Sequence, residues 1–319
     1  MELQKQELPI HPACRVWSIR PGRLSAEGRR TGFSLLNIRE WASNPKLLEH
    51  RLTILAEVRD AVIEFVTASE PLYFGHVNYG DEYNLVFPTG HHGIDAIEVR
   101  TALLDADTAE VLGFYSGGVG DIIVHPVGLC HWPGYMSKPE FFRPPSGPAR
   151  FRILSMVYCS KGAVKYNDSA QEKKTAGLEW PSFEVHPDFA DWKIRECKAD
   201  FPSEKARKRA GFVPLRALVA DKNRKEDEIT TVGRVGETRW DLIVSAGGPK
   251  KAFASGGRSY LIGYAGQPRL ELLAPDGAPC GTADLEEADL LEIPASCGFR
   301  ITGTGNGKRS AILWFRENP

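Results

Sequence analysis

The segment 120–131 constrains the fold more than any other stretch of the chain, because it places a short apolar run between two turns. A Gly-Asp pair at its start favours a tight turn. The β-branched residues 122–124 that follow are typical of a strand. Pro126 predicts a second turn, after which His131 opens the next strand. Two strands joined so closely hold a side chain in a fixed direction, which a metal site requires.

The spacing of this segment resembles the second signature of the cupin superfamily. Five residues separate Gly120 from Pro126, and one residue separates Pro126 from the next glycine. Two residues then separate that glycine from His131. Tyr135 replaces the closing Asn of the family. The resemblance implies a small β-barrel that usually holds one metal ion, with His131 as a ligand. His125 is a reserve candidate, because the predicted turn before His131 prevents strand alternation from showing whether both face the same way. The alternative for His131 is a histidine that only packs or forms a hydrogen bond.

An earlier segment partly matches the other cupin signature, which is His-x-His, three or four residues, Glu, six residues and Gly. His76 matches its first histidine, Asn78 replaces the second, Glu82 has the right spacing, and Gly90 comes one residue late. The resemblance implies that His76, Glu82 and His131 bind the metal, with Asn78 as a weak fourth ligand or a group that orients one. The plain alternatives are a packed histidine, a surface carboxylate and a turn-forming Asn.

Two histidines and one carboxylate with open positions form the ligand set of non-haem Fe(II) oxygenases. The same donors also suit Mn(II), Ni(II) or Zn(II). Glu82 and Tyr79 are the candidate catalytic residues, because a metal-dependent isomerase would need such a group to move a proton. The Asn and Asp-Glu that precede an apolar strand at 78–86 also resemble homogentisate dioxygenase-like cupins.

A degraded copy of the second signature lies in the segment 285–301. Ala288 and Asp289 stand in the place of Gly-Asp, and Pro294 follows five residues after Asp289. The segment also resembles the C-terminal cupin of phosphomannose isomerases, which makes the chain similar to a bicupin. No histidine follows His186 in the sequence, so the second barrel is predicted to lack a histidine-based metal site and to be structural.

The predicted fold class is all-β, with two jelly-roll barrels and a connecting segment. A chain of 319 residues exceeds the usual size of one domain, and its 31 Gly and 22 Pro are scattered, as in a turn-rich β protein. Residues 52–66 fit a helix or two strands with a turn near Arg59, and their β-branched content favours strands. A helix is expected to start at Asn44 and Pro45. The predicted boundaries are an irregular arm at 1–45, the first barrel at 46–160, the connecting segment at 161–235 and the second barrel at 236–319.

The charge balance excludes several classes of partner. Lys plus Arg number 40 and Asp plus Glu number 41, so neither nucleic acid nor an anionic membrane is expected to bind. No apolar run is long enough for a membrane span, and the N-terminus lacks the apolar core of a signal peptide. The six cysteines include no Cys-x-x-Cys pair, which favours reduced thiols and a cytoplasmic protein. Because many cupins dimerise, a homodimer is also allowed.

The sequence therefore predicts a mononuclear, non-haem, metal-dependent dioxygenase that acts on a small aromatic or carboxylated substrate. Fe(II) is the expected metal. The first alternative is a metal-dependent isomerase, cyclase or lyase on the same scaffold, because one fold supports many reactions. The second is a non-catalytic binding bicupin, which the Asn at position 78 favours.

Overall fold

The computed structural model describes parts of the first predicted barrel and most of the second. The described residues are 23–37, 52–59, 61–68, 76–77, 82–87, 98–104, 111–118, 120–125, 130–135, 153–160, 211–246, 251–305 and 309–317. Among them, twenty strands and two short helices are present. No helix in these ranges is both long and apolar enough to cross a membrane. The predicted helix start at Asn44 and Pro45 lies outside them.

The described part of the N-terminal arm is regular rather than irregular. Helix α1 (Ala26–Arg30) begins after Ser25, whose Oγ accepts hydrogen bonds from the backbone N–H of Gly28 at 3.1 Å and of Thr282 at 3.0 Å. Strand β1 (Ser34–Asn37) then pairs antiparallel with residues 289–292. The expectation of an irregular arm is therefore wrong for residues 23–37, because a distant strand supplies the hydrogen-bond partners that local sequence does not reveal.

The first barrel consists of strands β2 to β11. Their bounds are β2 (Leu52–Val58), β3 (Ala61–Ala68), β4 (His76–Val77), β5 (Glu82–Val86), β6 (Glu98–Leu104), β7 (Val111–Gly118), β8 (Ile122–His125), β9 (Cys130–Tyr135), β10 (Ile153–Ser160) and β11 (Gly211–Val213). They form a six-stranded sheet in the order β11-β8-β5-β10-β3-β2 and a four-stranded sheet in the order β4-β9-β6-β7.

The ambiguous segment 52–66 forms two strands, as its β-branched content predicts. β2 ends at Val58 and β3 begins at Ala61. Arg59 has a φ of 49°, a left-handed conformation that reverses the chain between them. The strand interpretation and the turn near Arg59 are confirmed.

The second barrel consists of β1 and strands β12 to β20, which follow helix α2 (Leu215–Ala220). Their bounds are β12 (Glu228–Val235), β13 (Thr238–Ser245), β14 (Ala252–Ala254), β15 (Ser259–Ala265), β16 (Pro268–Leu273), β17 (Pro279–Asp284), β18 (Asp289–Ile293), β19 (Gly298–Thr304) and β20 (Ser310–Glu317). One sheet has the order β1-β18-β15-β20-β13-β12, and the other has the order β14-β19-β16-β17.

The two barrels share one strand order. Each has a six-stranded and a four-stranded sheet, and every strand of one has a counterpart in the other. β8 corresponds to β18, and β9 corresponds to β19. The segment 285–301, which the sequence identifies as a degraded signature, forms these counterparts. The all-β class with two jelly rolls is confirmed.

Two compact units divide the chain. Their bounds are Met1–Glu7, His50–Thr53 and Ile63–Leu215 for one, and Leu8–Glu49, Ile54–Val62 and Arg216–Pro319 for the other. The second unit has an apolar core between its sheets. Its buried members include Leu24, Phe33, Ile243, Phe253, Leu261, Leu272, Leu291, Phe299, Ile312 and Trp314. The arm thus adds Leu24 and Phe33 to the core of the C-terminal barrel.

Gly263 on β15 lies against the backbone that leads into β18. A Cβ at this position would overlap the carbonyl oxygen of Glu286, and the Gly263 carbonyl accepts a hydrogen bond of 2.8 Å from the N–H of Ala288. We expect Gly263→Ala to lower the free energy of unfolding by about 1–3 kcal/mol, because backbone cannot yield as a side chain can.

Gly256→Ala is the matched control in urea unfolding, because nothing lies within 4 Å of a Cβ at that position. If the two variants unfold at the same urea concentration, the close approach at Gly263 does not exist in solution.

Candidate metal centre

His76 and His131 occupy opposing positions in the four-stranded sheet of the first barrel. Strands β4 and β9 are antiparallel, and their register pairs His76 with His131 and Val77 with Cys130. Directly opposed residues share one face of a sheet and have neighbouring Cβ positions. His131 lies near the start of β9, as the turn pattern before it predicts. The structure therefore brings together two candidate ligands that are far apart in sequence.

Glu82 begins β5 in the six-stranded sheet and is buried, with 2% of its surface exposed. The register of β5 and β8 places it opposite His125, which is 1% exposed. His125 Nε2 and Glu82 Oε1 lie 3.9 Å apart, which is too long for a hydrogen bond. The amide of the buried Asn84 donates a hydrogen bond to the same Glu82 oxygen. The interpretation of Glu82 as a surface carboxylate is wrong.

The remaining predicted site residues, Asn78 and Tyr79, lie outside the described residues. Among the side chains that the structure describes, no group of three or more His, Cys, Asp or Glu is placed to hold a metal ion. The described donor cluster is the pair of Glu82 and His125. Asn84 was not predicted as a site residue. Strand alternation places it on the same face as Glu82 and could have identified it.

The second barrel shows what occupies the positions equivalent to the two histidines. Phe299 follows Pro294 by five residues, as His131 follows Pro126. The register of β14 and β19 pairs Phe253 with Phe299 in the same way that His76 pairs with His131. Both phenylalanines are buried in the core of that barrel, and their rings stack with centroids 5.1 Å apart. These register positions therefore face the interior of the second barrel.

The positions equivalent to Glu82 and His125 are also changed in the second barrel. Ser259 pairs with Ile293 in the register of β15 and β18, which matches the pairing of Glu82 with His125 in the first barrel. Both replacements are fully buried. The three histidines and one glutamate of the first barrel thus correspond to two phenylalanines, a serine and an isoleucine in the second. These packed side chains leave the second barrel without imidazole or carboxylate donors at the four equivalent positions.

Comparison with known proteins identifies the architecture. No family profile matches the chain, and none of the curated proteins is similar to it in sequence. The structure of a cupin 2 conserved barrel domain protein from Leptotrichia buccalis superimposes with a TM-score of 0.52 over 89% of this chain and 96% of its own, at 8% identity. The chain has the cupin fold. The expected resemblance is confirmed at this level.

A second structure is more distant. A variant of oxalate decarboxylase from Bacillus subtilis covers 90% of this chain and 72% of its own, with a TM-score of 0.48 and 11% identity. The likeness to the cupin 2 protein, at 8% identity, concerns the fold alone. Function has to be argued from the residues of the first cupin barrel, because unrelated activities share this type of scaffold.

Proposed function

We propose that the first cupin barrel binds one divalent metal ion through His76, Glu82 and His131. We further propose that it uses this ion as a dioxygenase of small aromatic or carboxylated molecules. The register pair of His76 and His131 carries the proposal. Their counterparts, Phe253 and Phe299, have buried side chains in the core of an equivalent barrel.

The counterparts support an interior location for the two imidazoles. The strand orders of the two barrels are the same, and the two register pairs lie on equivalent strands. A histidine pair in the barrel interior would be costly unless the rings had polar or metal partners. Shared coordination of one ion satisfies this requirement for both rings.

Glu82 fits the same ion, because a carboxylate at 2% exposure is stable only when its charge is compensated. A divalent cation compensates this charge, and the hydrogen bond from Asn84 fixes the orientation of the carboxylate. Two neutral imidazoles and one carboxylate suit Fe(II), with Mn(II), Ni(II) and Zn(II) as alternatives. The donor set thus fits a metal centre.

Each residue of the chain would have a separate role at such a site. When bound, Fe(II) would supply the redox chemistry that a reaction between dioxygen and a small substrate requires. The register pairing of β4 and β9 would restrict the directions that two imidazole ligands can take. Burial keeps bulk water from the Glu82 carboxylate, and Asn84 limits its rotation. Tyr79 stays the candidate proton carrier for an isomerase or lyase reaction.

Metal content and oxygen uptake test the proposal together. Protein purified without chelators, and apoprotein reconstituted anaerobically with Fe(II), should each hold about one ion per chain. An oxygen electrode and a panel of catechols, hydroxyaromatic acids and β-diketones then test turnover. Oxygen uptake that needs both Fe(II) and a substrate supports the dioxygenase. Tight Zn(II) or Mn(II) without oxygen uptake favours the isomerase or lyase, and the absence of any metal favours a binding protein.

Glu82→Gln separates the carboxylate ligand from a general effect of charge. We expect this variant to bind the metal at least about 10-fold more weakly, because the amide is a poorer donor than the carboxylate. Glu57→Gln is the matched control, because Glu57 is an exposed glutamate, in β2. Competition with a fluorescent chelator measures both affinities. Equal affinities in the two variants would remove Glu82 from the ligand set.

A further inference from the structure

A buried histidine stands beside Glu82 that neither cupin signature accounts for. His125 is 1% exposed, and its Nε2 lies 3.9 Å from Glu82 Oε1. It occupies the last position of β8, directly before Pro126 in the sequence. The corresponding residue in the second barrel is Ile293, which is also buried. An apolar residue can therefore occupy this position in a barrel of this fold. The packing of the barrel interior thus does not by itself require a histidine here.

We infer that His125 is a further protein ligand of the metal ion, in place of the signature histidine that Asn78 replaces. This inference rests on the proposed function. The first barrel would then hold its ion with three imidazoles and one carboxylate, although one imidazole comes from β8 rather than from the strand of His76.

The distance between His125 and Glu82 agrees with a shared ion. It exceeds the length of a hydrogen bond. Metal–nitrogen and metal–oxygen bonds are each about 2.1 Å long, so two ligand atoms of one ion lie at most about 4.2 Å apart. The 3.9 Å separation lies within this maximum, and as neighbouring ligands of one octahedral or tetrahedral ion the two atoms would stand closer, at about 3.0–3.4 Å. An ion between the two groups would also draw both toward it and compensate the buried carboxylate charge.

The register adds a second argument. His125 and Glu82 are directly opposed on β8 and β5, so their side chains share one face of the six-stranded sheet. Asn84 occupies the same face of β5, two residues from Glu82, and bonds to the Glu82 carboxylate. The histidine thus belongs to the polar cluster that contains the proposed carboxylate ligand.

The competing role for His125 is to orient Glu82 without touching the ion. Removal of such an outer partner weakens metal binding by roughly 10- to 100-fold and leaves the number of coordinated nitrogens unchanged. Removal of a ligand lowers that number. A count of coordinated imidazoles therefore separates the two roles, whereas affinity alone does not.

The test uses the full chain loaded with Cu(II), which reports coordinated imidazole nitrogens by pulsed electron paramagnetic resonance. The wild type should show three imidazoles, from His76, His125 and His131. His125→Ile should show one imidazole fewer, and it should bind Cu(II) at least about 10-fold more weakly. Isoleucine is chosen because Ile293 fills the equivalent position of the second barrel. Asn84→Ala is the matched control, because it removes a neighbour of Glu82 that supplies no imidazole.

Each outcome decides the inference. Two imidazoles in the wild type, or an unchanged count in His125→Ile, would overturn the role of His125 and leave the proposed metal site standing. A wild type that binds no metal would overturn the proposed function and this inference together. The number of coordinated imidazoles in the wild type is measured without any variant. It therefore tests the role of His125 even if His125→Ile fails to fold.

Discussion

His131→Phe should abolish metal binding and leave the protein folded. Phe299 stands at the equivalent position of the second barrel, where it packs in the core against Phe253 and Trp314. A phenylalanine ring therefore suits this place in a barrel of the same strand order. It offers no donor atom, so we expect the metal affinity to fall by more than about 100-fold. Elemental analysis measures the loss, and thermal unfolding of the apoproteins tests the fold.

Cys130→Ala is the matched control for this variant. Cys130 is the neighbour of His131 on β9, and successive residues of a strand point to opposite faces. It should therefore keep its metal. If His131→Phe and Cys130→Ala carry the same metal content, the proposed site is misplaced.

Asp289→Ala should strongly destabilise the second barrel. The carboxylate is completely buried and forms an ion pair with Arg23. It accepts hydrogen bonds from the Asn37 amide at 2.7 Å and from the backbone N–H of Glu286 at 2.6 Å. Its removal leaves a largely buried guanidinium without this partner. We expect the free energy of unfolding to fall by about 3–5 kcal/mol.

The control for Asp289→Ala is Asp284→Ala. Asp284 pairs with Arg269 at 3.3 Å, but both side chains are more than half exposed, so this pair contributes less than about 1 kcal/mol. Urea unfolding followed by tryptophan fluorescence compares the two variants. A loss at Asp289 as small as that at Asp284 would mean that Asp289 does not anchor the arm to the barrel.

The local sequence pattern predicted the positions of many strands. The β-branched residues 122–124 lie in β8, and His131 lies in the next strand, β9. The hairpin at Arg59 was also predicted, because β-branched residues prefer strands. The degraded copy at 285–301 also lies where the sequence placed it, in β18 and β19. These features depend on turn chemistry and side-chain shape within a few residues, and a single sequence reveals both.

Pairing between distant segments could not be predicted in this way. β1 lies opposite residues 289–292, which are more than 250 positions away, so the arm looked irregular without its partner. The contact of His125 with Glu82 depends on the register of β8 against β5. His125 and His131 lie on different strands, and strand alternation gives no relation between side chains of two strands. The buried pair therefore became visible only in three dimensions.

Anomalous X-ray diffraction from crystals of the iron-loaded protein, measured at the iron absorption edge, tests the central claim most directly. The account predicts one strong peak inside the first cupin barrel, within bonding distance of His76, Glu82 and His131. A peak elsewhere in the chain, or a His131 ring turned to solvent and far from any ion, would contradict it.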